Sequence, residues 1–133
     1  MTARFRDNRR CFVCGEKNPD GLKLRLQTDA ERGRAETEIV FDPRFQGWAG
    51  VVHGGLVATV LDEALIYAAG ARGFRCVTGE ITVRYVRPVS TGTPYALKGR
   101  FVRKRGRVVL AESSLLDAKG REVARASGKL FRI

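Results

Sequence analysis

Residues 51–69 read VVHGGLVATVLDEALIYAA, and this stretch decides the architecture. From Leu56 to Ala69 the only charged residues are Asp62 and Glu63, so a helix formed there has no otherwise polar face and must be surrounded by protein on most sides. The adjacent glycines Gly54 and Gly55 mark its start, and Gly70 and Gly73 end it. Before it, Pro43, Gly47 and Gly50 break any regular pattern between Asp42 and Val52, which reads as a loop delivering the chain to His53.

On both sides of this segment the period is two. Leu22, Leu24 and Leu26 alternate with Lys23, Arg25 and Gln27, and Ala35, Thr37, Ile39 and Phe41 alternate with Arg34, Glu36, Glu38 and Val40. Two half-buried strands around a turn near Arg32-Gly33 follow from that alternation. After the helix, strands are expected over residues 77–86, 95–102, 108–116 and 123–131, separated by turns at 88–92, 104–106 and 117–120. One sheet curling around one buried helix is the economical way to cover both. The expected fold class is therefore α+β, a curved antiparallel sheet wrapped around one long central helix. Residues 1–21, polar and ending in Asn18-Pro19-Asp20-Gly21, read as a lead-in segment, and residues 22–133 as a single domain.

With 133 residues, 44% of them apolar, the chain can bury a core without disulfide or metal staples. Three cysteines, an odd count, argue against a closed disulfide framework and for a reducing compartment, so a cytoplasmic location is expected. No N-terminal stretch joins basic residues to an apolar run, and Val51–Leu61 is too short to span a bilayer, so no membrane partner is expected. The net charge of +11 is uneven: residues 84–133 hold 13 Lys/Arg against 3 Asp/Glu and carry +10 of it. Such a field attracts polyanions, and both nucleic acid and the phosphates of coenzyme A qualify. It equally fits a solvated face that keeps the protein in solution. No aromatics interleave with the dense basic run at residues 103–107, so nucleic acid is not the expected partner.

Burying a carboxylate is costly unless it is paired or used, which makes Asp62 and Glu63 the sharpest anomaly in the sequence. Asp62 lies seven residues after Gly55, within about 20° of the same helix face, and about 10 Å further along the axis. The glycines remove side chains where free N–H groups and the positive helix end are exposed, a corner able to hold a thioester carbonyl oxygen. Asp62 could serve as nucleophile or as the base activating water. Reacting groups need a separation of about 3 to 3.5 Å, so one chain's helix does not supply both groups to one substrate. The mismatch suggests a site shared between two subunits about a two-fold axis. The same residues also admit a structural reading in which the glycines allow close packing, His53 caps the helix and Asp62 pairs with an arginine.

Three stretches, CFVCGEKNPDGLKL (11–24), VVHGGLVATVLDEAL (51–65) and VTGEITVRYVRPVSTG (77–92), together resemble the PaaI-like branch of hotdog-fold acyl-CoA thioesterases. The resemblance runs from about Cys11 to the C-terminus. It implies a hotdog fold and hydrolysis of a small aromatic or medium-chain acyl-CoA to the free acid and coenzyme A, without a cofactor. It implies a homodimer with shared sites, and a homotetramer as a dimer of dimers. It assigns Asp62 as the catalytic acid, the N–H of Gly54 or Gly55 as the carbonyl-polarising group, His53 to orienting the thioester and Thr78 to holding the attacking water. Some members place an Asn or Gln six residues before the His; here Gly47 stands there, with Gln46 beside it. The alternatives are a hotdog hydratase/dehydratase, against which the acid nine residues after His53 speaks, and a non-catalytic acyl-CoA or nucleic-acid binding module.

Around this constellation, Trp48 and Phe45 could wall an acyl pocket or pack over the helix start. Tyr67 is a core aromatic or a pocket wall. Arg84, Arg87, Arg103 and Arg105, with Lys104 and Arg107, are candidates for the coenzyme A phosphates. Cys11 and Cys14 form a C-x-x-C, yet no second pair or Cys/His partner stands at matching spacing, so no metal is expected and the pair is assigned to packing of the lead-in. Cys76 is expected in the core.

Overall fold

The computed structural model describes residues 4–133. Its elements are β1 (Gln27–Asp29), β2 (Arg34–Val40), α1 (Gly54–Ala71), β3 (Cys76–Tyr85), β4 (Pro94–Arg105), β5 (Val108–Leu116) and β6 (Glu122–Arg132). All six strands form one antiparallel sheet in the order β1-β2-β4-β5-β6-β3. The helix packs across one face of it, touching every strand and most densely β4 and β5. This is the sheet-around-helix arrangement expected from the alternation.

The helix lies where the sheet is thinnest. Ala35 of β2 pairs with Gly99 of β4, Gly99 with Ser113 of β5, and Ser113 with Ala126 of β6, so a row of small residues crosses the sheet. A Cβ on Gly99 would stand 2.2 Å from the Ala64 carbonyl oxygen of α1, and the buried Ser113 hydroxyl donates to the Leu61 carbonyl at 2.8 Å. Val57, Val60, Leu61, Ala64, Leu65, Ala68 and Ala69 are all buried in this contact. By length and composition α1, with 18 residues and a mean hydropathy of 1.3, could reach across a bilayer; here it is the core helix that the sheet wraps. Gly70 lies inside it, and the chain leaves it at Gly73, whose φ of +85° is a conformation natural to glycine.

Two expectations shift. The alternation over residues 22–27 buries Leu24 and Leu26, but ladder pairing with β2 begins only at Gln27. The backbone bonds go elsewhere: Leu22 N–H donates to Phe12 O and Leu24 N–H to Val13 O, so the lead-in takes the place of a neighbouring strand. The residue between them, Lys23, sits at φ +53° and breaks the extended run. Strand β3 carries a register shift between Thr78 and Glu80, with Gly79 as the extra residue. A Cβ at Gly79 would lie 1.9 Å from the Phe131 ring, so a larger residue there must displace that ring.

Candidate active site

The loop ahead of the helix is fastened at several points. Asp42 caps the 3-10 turn Pro43–Phe45 by accepting from Arg44 N–H, Gln46 Oε1 accepts from Gly50 N–H at 2.9 Å, and Gly47 N–H donates to Val51 O. His53 N–H donates to Phe45 O at 2.8 Å, which sets His53 as the residue before the helix. Its Nδ1 accepts from Gly55 N–H at 2.9 Å, the part usually played by a Ser or Asp oxygen, so Nε2 carries the ring proton. Gly54 remains. Its N–H makes no hydrogen bond to another described residue, while its carbonyl accepts from the Tyr85 hydroxyl at 2.7 Å. Of the two glycines the sequence offered as carbonyl-polarising donors, Gly55 is therefore engaged and Gly54 is free.

A cleft of about 430 Å³ opens here, lined by Gly47, Trp48, Val51, Val52, His53 and Gly54. Trp48 is 84% exposed, so it stands at the rim of the cleft and does not pack over the helix start. Gln46 spends its side-chain oxygen on holding the loop, and Gly47 lies against His53, where a Cβ would meet His53 Cα at 3.5 Å. Tyr85, absent from the sequence-derived candidates, is signalled only by the phase of β3 after the bulge, where Ile81 and Val83 turn inward.

Asp62 is two turns further along α1 and half-buried. Thr78 Oγ1 donates to Asp62 Oδ1 at 2.6 Å, a short charge-assisted bond that leaves Oδ2 for another donor. The bulge makes this possible: Cys76 and Thr78 face the helix before Gly79, and Ile81 and Val83 face it after. A regular strand would aim either Thr78 or the Ile81/Val83 pair at solvent. The arginine of the structural reading is absent, since none of the ion pairs among the described residues involves Asp62. Replacing Thr78 by Val keeps the β-branched shape and removes one hydrogen bond to a charge, worth about 1.5–3 kcal/mol. If that bond orients a working carboxylate, kcat falls roughly tenfold to a hundredfold, with Thr78→Ser restoring most of it; an unchanged kcat would remove Thr78 from the site.

The basic candidates scatter. Arg84 points to the sheet face away from α1, into a concavity of about 560 Å³ shared with Arg34, Lys98, Arg100 and Arg125, where Glu112 and Glu122 pair two of the cations. Arg103 and Arg105 lie in the β4–β5 hairpin beside Lys104, whose ammonium sits over the Phe74 ring just past the far end of α1. Arg87 alone is close to the cleft along the chain, two residues before Val89, whose carbonyl holds Val52 N–H. The structure thus brings together Gln46, Gly47, Trp48, His53, Gly54 and Gly55 at one point, and Asp62 with Thr78 at another.

Glu63 lies beside Asp62 but has different company. One of its carboxylate oxygens and the thiols of Cys11 and Cys14 all lie within 4.8 Å of one another. Burial pushes the Glu63 carboxyl above the usual carboxylate range, and the neighbouring Asp62 charge adds to it while hydrogen bonds from the Cys14 and Cys11 thiols oppose. Burial likewise pushes the Cys14 thiol up to about 12, and it raises the Tyr67 hydroxyl, which shares a hydrogen bond with Cys14. Tyr67 packs against the core as well. Cys76 is half-buried against the core, as expected, with its thiol raised by that burial.

Comparison with known proteins settles the family. The pattern of the thioesterase superfamily matches residues 49–124, more than half of the chain and all of α1, β3, β4 and β5. The chain belongs to the thioesterase superfamily. Its fold is the hotdog fold, and membership places it among thioester hydrolases. A candidate esterase of Saccharolobus solfataricus is 30% identical over 103 residues, 76% of this chain and 73% of that protein. A solved thioesterase superfamily protein is 28% identical with a TM-score of 0.85; the match covers 92% of this thioesterase but 63% of that chain, which is less than two thirds of its length. The PaaI protein of E. coli, from the phenylacetic acid degradation operon, superposes at TM-score 0.71 and 20% identity over 77% of this chain and 74% of its own. A Streptococcus mutans protein solved bound to acetyl-CoA superposes at 0.76 and 17% identity over 89% and 96%. The last two show the shared fold.

Proposed function

We propose that this thioesterase hydrolyses a small aromatic or medium-chain acyl-CoA at sites shared between two copies, with Gly54 N–H of one subunit polarising the carbonyl and Asp62 of the other activating water. The observation that carries this reading is the separation of the two groups. The free Gly54 N–H and the Thr78-held Asp62 stand eight residues apart on one helix, about 12 Å at 1.5 Å per residue, and a reacting pair needs about 3–3.5 Å.

The edge of the sheet supports the pairing. Strand β3, ten residues long, is bonded on one side only, and a long bare edge invites a second strand. Tyr85, Val86 and Trp48 are exposed apolar residues around the same end of the helix. A second copy seated there would cover them and bring its own Asp62 toward the cleft. Assembly into a dimer of dimers is part of the same proposal.

The division of roles follows from the hydrogen bonds. Asp62 Oδ2 accepts a proton from water, whose oxygen attacks the carbonyl carbon. Negative charge collects on the carbonyl oxygen, where Gly54 N–H and the positive end of α1 stabilise it. Collapse expels the coenzyme A thiolate and leaves the free acid. His53, its Nδ1 committed to Gly55, presents Nε2–H to the thioester. Thr78, having donated its own proton to Asp62, accepts from the same water and aligns it, which favours Asp62 as base over Asp62 as nucleophile. The acetyl-CoA bound to the Streptococcus mutans protein and the excess of cations in residues 84–133 support coenzyme A as the leaving group.

The test is a screen of the full chain against a panel of acyl-CoA thioesters, following release of free thiol. Turnover with a preference for aromatic or medium-chain acyl groups is expected. No thiol release from any of them, with tight salt-sensitive binding of DNA or RNA instead, would overturn it in favour of a binding module. Hydration of an enoyl thioester would overturn it in favour of a hydratase.

A further inference from the structure

Thioester hydrolysis gives no work to Cys11, Cys14 or Glu63, yet the fold gathers them. The C-x-x-C-G turn is tightly formed: Gly15 N–H donates to Cys11 O at 2.9 Å, and Val13 N–H donates to Cys11 Sγ at 3.4 Å. A main-chain N–H aimed at a sulfur supports negative charge on it, as the outer hydrogen bonds of thiolate–metal sites do. The turn closes so sharply that a Cβ at Gly15 would lie 2.3 Å from Cys11 N. It is also fixed to the domain, through Leu22 N–H to Phe12 O, Leu24 N–H to Val13 O, and the buried Val13 side chain.

The third member comes from the core helix. Glu63 Oε2 is 3.9 Å from Cys11 Sγ, and none of the ion pairs among the described residues involves Glu63. A carboxylate removed from water calls for a cation, and here it faces two thiols. Tetrahedral zinc, with Zn–S of about 2.3 Å and Zn–O of about 2.1 Å, sets a sulfur-to-oxygen separation of about 3.6 Å. The observed 3.9 Å is a few tenths of an ångström from that value.

We propose that Cys11, Cys14 and Glu63 bind one thiophilic divalent cation of the zinc type, with a water held against the Tyr67 hydroxyl completing the tetrahedron. Thiolate donors select zinc over magnesium or calcium, and a site made of one tight turn and one rigid helix suits a structural ion. Its effect is to rivet residues 11–24 onto α1 one residue from Asp62. The proposal stands independently of the reading of the active site, because the cluster shares no ligand with it.

The full chain, reduced and stripped of metal with a chelator, is titrated with Co²⁺ and then with Zn²⁺. One Co²⁺ per chain is expected, with thiolate-to-cobalt charge-transfer absorption and the visible bands of a tetrahedral ion, all abolished by Zn²⁺. Cys14→Ser removes the charge-transfer band or greatly reduces it. Glu63→Gln keeps the band but weakens Co²⁺ binding by about tenfold or more, the least expected for a direct ligand when outer-shell changes already cost 10–100-fold. Absence of a thiolate band in the reduced wild-type chain overturns the site, and so does a Glu63→Gln chain that binds as tightly as wild type. A Cys11–Cys14 disulfide that binds no Co²⁺ after reduction overturns it in favour of a redox pair. Should Cys14→Ser fail to fold, the wild-type spectrum and the Glu63→Gln titration still decide.

Discussion

Asp62→Ala lowers kcat for acyl-CoA hydrolysis by about 10²–10⁴-fold, the contribution usual for a positioned base, with the fold and the oligomeric mass unchanged. The fold survives because Asp62 is tied to the rest of the protein by one side-chain bond, from Thr78, and alanine is the best helix former. Removing its charge also relieves the neighbouring Glu63. Asp62→Asn separates geometry from chemistry: its amide oxygen still accepts from Thr78, but it takes no proton from water, so the same loss is expected. The shared site has a sharper signature. Gly54→Val fills the cleft, its Cβ meeting the Tyr85 ring at an ordinary 3.5 Å, and should be inactive by itself. A hybrid dimer of one Asp62→Ala subunit and one Gly54→Val subunit carries both lesions in one site and none in the other. Random mixing of the two dead variants therefore restores about a quarter of wild-type activity if the sites are built across a two-fold axis. No recovery, with hybrids shown to form, would place each site within one chain.

How much of this was legible beforehand depends on the range of the interaction. Alternation at residues 35–41 and in the four later strands reports on one face of a sheet, and the apolar run after Gly55 reports on a surrounded helix; both are properties of neighbours in sequence. Family resemblance put Thr78 at the attacking water, but its hydrogen bond to Asp62 was not legible, because it depends on the bulge at Gly79 in the pairing of β3 with β6, a strand distant in sequence. The same holds for the lead-in. Leu22, Leu24 and Leu26 read as a strand, but the Cys11–Gly15 turn takes the N–H bonds of Leu22 and Leu24, and nothing local announces it. The C-x-x-C was set aside for want of a Cys or His partner, while the group the fold supplies is a carboxylate across a gap of about fifty residues. The arginines misled for the opposite reason. Their number gave charge but not direction, and the sheet turns Arg84 away from the cleft while the β4–β5 hairpin carries Arg103 and Arg105 to the other end of α1.

Gly99→Ala should destabilise the domain by about 3 kcal/mol or more, at the upper end of overpacking penalties because the obstacle is backbone. The added Cβ would lie 2.2 Å from the Ala64 carbonyl oxygen and 2.8 Å from its carbon, so no side-chain rotation relieves it and the helix itself must retreat. Retreat costs more than the local clash. The Ser113 hydroxyl, buried under α1, would lose Leu61 O and keep no partner, and Val60, Leu61 and Leu65 would lift from a core in which each is fully buried. For a chain of this size the loss corresponds to a fall in Tm of about 10 °C. The same substitution at Gly70 should have the opposite sign, since that glycine lies in an exposed part of the helix with nothing within 4 Å of its Cβ, and alanine there gains up to about 1 kcal/mol. Thermal melts of the two variants test whether the row Ala35, Gly99, Ser113, Ala126 is the seat of α1; a Gly99→Ala melt superimposable on wild type would show that it is not. Function follows from the same seat. Asp62 lies between Leu61 and Ala64, the two helix residues that touch the row, so any Gly99→Ala protein that remains folded holds its carboxylate away from Thr78, and its residual hydrolysis should fall toward that of Thr78→Val.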